Sequence, residues 1–163
     1  MSTEINLAAE QPWLMFFIGV PGSGKSTWIE SQDWAKDIPV VSTDNFVERY
    51  AKEQGKTYNE VFKDYMPIAV KLMANQALIC QANNLDVIWD QTSTTVASRK
   101  RKFNTLPGYD HIAIVFATPE KDELARRLAS RPGKSIPEHV MRSMIEGFEM
   151  PTEEEGFKEI WYT

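Results

Sequence analysis

The chain has 163 residues, 42% hydrophobic and 25% charged, and its 18 Lys plus Arg against 23 Asp plus Glu leave a formal net charge of −5. That profile is one globular domain, and its acidic balance argues against a protein that coats nucleic acid by bulk charge. A single cysteine and two distant histidines exclude an internal disulfide and a zinc cluster built by spacing.

Residues 1–11 read as a mobile leader and 12–163 as a single domain. The amino terminus carries Glu4 and Glu10 and lacks the basic-then-apolar order of a signal peptide. The longest apolar run, 13–20, is far short of the roughly 20 residues a membrane helix needs, so a cytoplasmic setting is expected and no membrane partner. No obligate protein partner is evident.

In chain order, 13–18 (WLMFFI) is a continuous apolar run that ends at Gly19, the pattern of a strand buried on both faces. Segments 39–42, 86–90, 111–116 and, more weakly, 157–162 repeat it. Between them lie helical patterns. Thr57 with Glu60 forms a capping box before Val61, Tyr65, Ile68, Leu72 and Ile79 at helix spacing, with Pro67 as a point of kinking. Thr118-Pro119 starts a helix whose buried face is marked by Leu124 and Leu128. Ser135 with Glu138 repeats the capping pattern before Val140, Met141, Met144, Ile145 and Phe148. Strands alternating with helices imply an α/β fold, a parallel sheet covered on both faces with its site at the carboxyl ends of the strands.

The strongest local signal follows the first strand directly: Gly19-Val20-Pro21-Gly22-Ser23-Gly24-Lys25-Ser26 matches G-x-x-x-x-G-K-[ST]. Glycines let the backbone approach phosphate oxygens, successive N–H groups form an anion nest, and the next helix presents its positive end. Gly19, Pro21, Gly22, Ser23, Gly24, Lys25, Ser26 and Thr27 are therefore the nucleotide-binding candidates. Lys25 is placed to reach the β- and γ-phosphates of ATP or GTP, and Ser26 to ligate Mg²⁺.

The other candidates stand at the ends of later strands. Asp44, just after the second, is a candidate general base or a mere helix cap. Asp90, after the third, offers a second carboxylate for Mg²⁺ or for the acceptor. Arg126, Arg127 and Arg131 precede Pro132-Gly133-Lys134-Ser135 in what reads as a lid, with Arg131 the best candidate for the transferring phosphate. The run 99–102 (RKRK) sits on a helix whose four cations cannot share one face. It reads mainly as a solvated surface, with a partial phosphate contact as the functional alternative. Trp28, Trp34, Tyr50 and Tyr58 can stack bases or pack in the core, and Cys80 reads as inert core.

These residues together resemble the kinase domain of polynucleotide kinases, within the P-loop kinases. The match runs from Phe16 to Tyr162 through the P-loop with Thr27 and Trp28, the Asp44 segment, Trp89-Asp90-Gln91-Thr92 with Ala97-Ser98-Arg99, the segment from Arg131 to Pro137 and the tail 148–157. The resemblance implies a P-loop NTPase fold: a five-stranded parallel sheet in adenylate-kinase-like order 2-3-1-4-5, with an arginine-bearing lid. It implies transfer of the ATP γ-phosphate, with Mg²⁺, to a nucleic-acid 5′-hydroxyl, Asp44 as base and Lys25 and Arg131 on the phosphates. Asp44, Arg49, Asp90, Thr92 and Arg99 are then the acceptor-side candidates. The phage enzyme carries arginine before its catalytic Asp and three positions after it, where this chain has Thr43 and Val47. No accompanying phosphatase domain is expected in 163 residues. A small-molecule kinase (nucleoside, sugar-nucleotide or antibiotic) and a nucleotide-dependent RNA-associated binding module are the alternatives.

Overall fold

Each apolar run becomes a strand because both sheet faces are covered and no alternating pattern is required. The computed structural model describes residues 11–163, so the expected leader lies, apart from Gln11, outside the described residues. Its strands are β1 (Trp13–Ile18), β2 (Val40–Val41), β3 (Val87–Trp89), β4 (Asp110–Val115) and β5 (Phe157–Tyr162). They pair in parallel in the order β2-β3-β1-β4-β5, as the resemblance implied. The helices are α1 (Lys25–Glu30), α2 (Thr43–Gln54), α3 (Tyr58–Ala82), α4 (Val96–Thr105), α5 (Lys121–Ala129) and α6 (Glu138–Glu146).

Strand β1 is the centre of the core. Leu14, Phe16 and Ile18 point to one face, against Met73, Ala77 and Cys80 of α3 and Phe103 of α4. Met15 and Phe17 point to the other, against Trp28 and Ile29 of α1. Phe16 and Phe17 are fully buried, a contribution of about 1.5–3 kcal/mol each. Trp28 packs edge-on against Phe17 and Phe116, and Tyr50 stacks on Tyr65 at 3.9 Å, so both are packing residues.

Three local expectations are corrected. On α3 the buried stripe is Val61, Ala69, Met73, Ala77 and Cys80, while Ile68 and Ile79 are 49% and 62% exposed. Alanines at the contact let the helix approach the sheet closely and rotate the larger residues outward, and α3 runs through Pro67. Ser135 does not cap α6, whose N-cap is Pro137. Its hydroxyl instead accepts from Asn59 of α3 at 2.6 Å, and its N–H donates back to Asn59 Oδ1.

The third correction is Arg99. Its side chain is fully buried, with Nε and Nη2 on the Glu155 carboxylate at 2.8 and 3.1 Å and Nη1 on the Ser93 carbonyl at 2.9 Å. The fork joins α4 to the turn before β5 and leaves no donor facing an acceptor. Among the described residues no helix is long and apolar enough to cross a membrane.

Candidate active site

The carboxyl ends of the strands open into a cleft of about 1280 Å³. Its nucleotide side is one continuous loop. At the end of β1 the Gly19 N–H bonds the Thr92 carbonyl at 3.0 Å, tying the loop to the segment after β3. Gly22 sits at φ +83°, and a Cβ there would lie 2.9 Å from Leu124 Cδ1, so both its conformation and its packing demand glycine. Lys25 Nζ donates to the Gly19 carbonyl at 2.8 Å. Burial lowers its pKa to about 8, against the pull of the Asp90 and Asp44 carboxylates, with Lys134 and Arg131 adding to the lowering.

Arg127, expected near the lid, lies in the last turn of α5. Its Nη1 donates to the Gly22 carbonyl at 3.0 Å and its Nε to Glu123 at 2.8 Å, so α5 braces the P-loop from outside. Arg126 is exposed and pairs with the same carboxylate. Arg131, one turn further, behaves differently: its Nε and Nη2 are buried at the cleft wall with no hydrogen-bond partner. Two orphaned donors on a buried guanidinium are costly unless an anion completes them. The nearby Ser23 hydroxyl is likewise buried and unpartnered.

The acceptor side is assembled from separate segments. The N-cap of α2 is Ser42, whose hydroxyl accepts from the Asn45 N–H, so Asp44 is released from capping. Its Oδ1 accepts from the Tyr58 hydroxyl at 2.6 Å and its Oδ2 from Lys134 Nζ at 3.2 Å. Lys134 also donates to Glu48 at 2.6 Å and lies 4.5 Å from the centre of the Tyr58 ring. Burial, then the bond to Asp44, pushes the Tyr58 hydroxyl far above the usual phenol range, so it remains a donor. Thus the loop 130–137 is fastened across the cleft mouth, helped by the Asn59 N–H on the Gly133 carbonyl. Neither Tyr58 as a partner of Asp44 nor Lys134 was singled out from sequence, since each is defined by a residue far along the chain.

Asp90 lines the cleft, and burial pushes its carboxyl up while Lys25 pulls it down. Gln91 accepts from Trp89 Nε1 and donates to Thr43, tying the end of β3 to α2. Thr92 lines the cleft beside it. Arg49 does not; five residues beyond Asp44 it lies about 140° round the helix, with its guanidinium 5.5 Å from the Phe46 ring. Val47 is fully buried and cannot stand in for a cleft arginine.

The residues fit a phosphate group and a divalent ion. The orphaned donors of Arg131 and Ser23, the glycine loop and the Lys25 ammonium would all be completed by phosphate oxygens. Ser26 and Asp90 bring a hydroxyl and a carboxylate to the same cleft, oxygen donors of the kind Mg²⁺ takes. Among the described residues no group of three or more His, Cys, Asp or Glu is placed to hold a metal.

A family model described as an AAA domain matches residues 14–151. The bifunctional polynucleotide phosphatase/kinase of Schizosaccharomyces pombe is 27% identical over 157 residues, covering 93% of this chain and 33% of that protein. The chain therefore spans about a third of the length of that curated relative. Among solved structures, the Pnkp1/Rnl/Hen1 RNA repair complex contains a chain that superposes with a TM-score of 0.68 at 24% identity, covering 85% of this chain and 44% of that one. Shikimate kinase from Acinetobacter baumannii shares the fold at a TM-score of 0.54 and 15% identity, covering 96% and 87%. The P-loop, the strand order and the extent of the family match agree: the chain belongs to the AAA-domain family, with a P-loop on a five-stranded parallel sheet, and is similar over 93% of its length to part of the fission-yeast polynucleotide phosphatase/kinase.

Proposed function

We propose that the chain transfers the γ-phosphate of ATP to the 5′-hydroxyl of a polynucleotide. The observation that carries this reading is Asp44: a carboxylate freed from helix capping, holding a hydroxyl at 2.6 Å in the cleft that also contains Lys25 and the orphaned Arg131. The Tyr58 hydroxyl donates to that carboxylate as an acceptor hydroxyl would have to. The polynucleotide acceptor is supported by the fission-yeast relative and by the motifs shared from Phe16 to Tyr162.

In this mechanism Lys25 leaves the Gly19 carbonyl for the β- and γ-phosphate oxygens, and Arg131 completes its two free donors on the γ-phosphate. Ser26 and Asp90 would hold Mg²⁺, which neutralises and orients the phosphates when bound. Asp44 Oδ1 accepts the proton of the acceptor hydroxyl as its oxygen bonds the γ-phosphorus and the bond to the β-phosphate oxygen breaks, releasing ADP. Gln91 keeps the ends of α2 and β3 in register.

A small-molecule acceptor is the second reading. It is favoured by the net charge of −5 and by Thr43 and Val47 at the two positions where the phage enzyme carries arginine.

The test is transfer of label from γ-labelled ATP to 5′-hydroxyl DNA and RNA oligonucleotides, beside nucleosides, small alcohols and a no-acceptor control, with Lys25→Ala protein as the blank. Lys25-dependent label on an oligonucleotide is expected. Asp44→Asn should cut that transfer by roughly 10²-fold or more while nucleotide affinity stays nearly constant. Label on small alcohols alone overturns the polynucleotide acceptor, and equal turnover by Asp44→Asn overturns the base.

A further inference from the structure

Tyr58 is the first residue of α3 and is held there from several sides. Thr57 caps the helix, its hydroxyl accepting from the Glu60 N–H. A Cβ on Gly133 would lie 2.6 Å from Thr57 Cβ, and the Asn59 N–H donates to the Gly133 carbonyl at 2.9 Å, so loop 130–137 is pressed against this turn. The Tyr58 ring packs 5.5 Å from the Phe62 ring and lies under the Lys134 ammonium. A ring fixed in this way presents its hydroxyl in one direction, onto Asp44 Oδ1 at 2.6 Å.

Tyr58 also lines a second cavity, of about 690 Å³, beside the cleft. Ser26, Glu48, Arg131 and Lys134 line both, so the two spaces meet at the residues proposed for the γ-phosphate and Mg²⁺. The second cavity carries four cations, Lys52, Lys56, Arg131 and Lys134, against the one carboxylate of Glu48. Among the described residues Lys52, Lys56 and Arg131 form no ion pair, and the Nε and Nη2 of Arg131 have no hydrogen-bond partner. Such a surplus of positive charge around one phenol is complementary to a phosphate ester of that phenol.

We propose that Tyr58 is a modification site: the chain transfers the γ-phosphate of its own bound ATP to the Tyr58 hydroxyl. The inference rests on the roles proposed for Asp44 and Arg131 and does not require a polynucleotide acceptor. The Tyr58 oxygen bonds the γ-phosphorus, the bond from that phosphorus to the β-phosphate oxygen breaks, the phenolic proton passes to Asp44 Oδ1, and ADP leaves. Burial and the bond to Asp44 keep the phenol protonated in the free protein, so the proton moves with the phosphoryl group. The ester formed is an anion beside Asp44 and Glu48, which repel it, and within the cavity of Lys52, Lys56 and Arg131, which attract it. Once esterified, Tyr58 no longer donates to Asp44.

The test is incubation of the full chain with γ-labelled ATP and Mg²⁺ and no acceptor, followed by phosphopeptide mapping. Label is expected on Tyr58, approaching one phosphate per chain. Because hydroxyl and base belong to one molecule, the first-order rate constant should stay the same on about tenfold dilution of the protein. Tyr58→Phe, which keeps the ring and its packing, should abolish the label. Asp44→Asn should slow it by roughly 10²-fold or more. Label on any other residue, or a rate constant that falls in proportion to dilution, overturns the inference, and mapping on the wild-type chain decides this even if a variant folds poorly.

Run beside the oligonucleotide assay, the experiment separates the two proposals. Label on Tyr58 with none on oligonucleotides supports the modification site and overturns the polynucleotide acceptor. Label on oligonucleotides with none on Tyr58 overturns the modification site and leaves the acceptor standing. Label on neither overturns both.

Discussion

The nucleotide wall and the acceptor wall of the cleft are built in opposite ways. The first is nine consecutive residues, 19–27, faced by Arg131 from the loop after α5; Lys25 donates to a neutral carbonyl, and the Nε and Nη2 of Arg131 have no partner. The second draws Asp44, Tyr58 and Lys134 from three segments, and its polar groups are already paired, with Asp44 and Glu48 sharing Lys134 and Asp44 accepting from Tyr58. The difference is one of occupancy. On the proposed reading, triphosphate meets a wall that lacks only an anion, whereas an acceptor hydroxyl meets an Asp44 carboxylate that already holds one donor on each oxygen.

Three perturbations test that contrast. The largest effect is expected at neither wall but at the joint behind both. Arg99→Ala strands the Glu155 carboxylate and should cost about 3–5 kcal/mol, read as a Tm lowered by roughly 10 °C. An unchanged Tm with a selective loss of acceptor binding would return Arg99 to the acceptor wall. Next, Arg131→Ala should slow transfer roughly 10- to 10²-fold with Tm nearly unchanged, because the side chain has no partner to lose in the free protein. A large fall in Tm at normal specific activity would make Arg131 structural.

The smallest effect is in pH. Lys25 has a pKa of about 8 in the free protein, below its ordinary value because of burial. Phosphate oxygens raise it, so nucleotide binding takes up a proton, and affinity weakens as pH climbs above the free value. ATP affinity should thus be flat below about pH 7 and fall by up to roughly tenfold per unit above pH 8. Lys25→Arg should bind without that slope. A flat wild-type profile through pH 9 would remove Lys25 from the phosphates or leave its pKa unmoved by them.

Several residues that line the cleft could be picked out along the chain because their signals are local. The P-loop is a contiguous motif directly after an apolar strand, and Asp44 follows the second such strand within a helix start. Arg131 was legible from its place beside the Pro-Gly turn. Others were not. Arg49 was near Asp44 in sequence but about 140° away on the helix. Arg99 looked like one cation among four until its fork met a glutamate 56 residues later. Ser135 has the spacing of a helix cap, yet Asn59, 76 residues away, takes its hydroxyl.

What could be read along the chain is whatever contiguous backbone and side-chain period enforce: the buried strands, the glycine turn, the alternation of strand and helix, and, through the family resemblance, the strand order. What required the folded molecule is which charges meet. Lys134 reaches Asp44 across 90 residues, and four neighbouring cations on α4 become one buried brace, one exposed surface residue and two residues on the cleft wall. Helix phase and chain closure assign those partners, and a charge carries no mark of its partner until burial makes an unpaired one expensive.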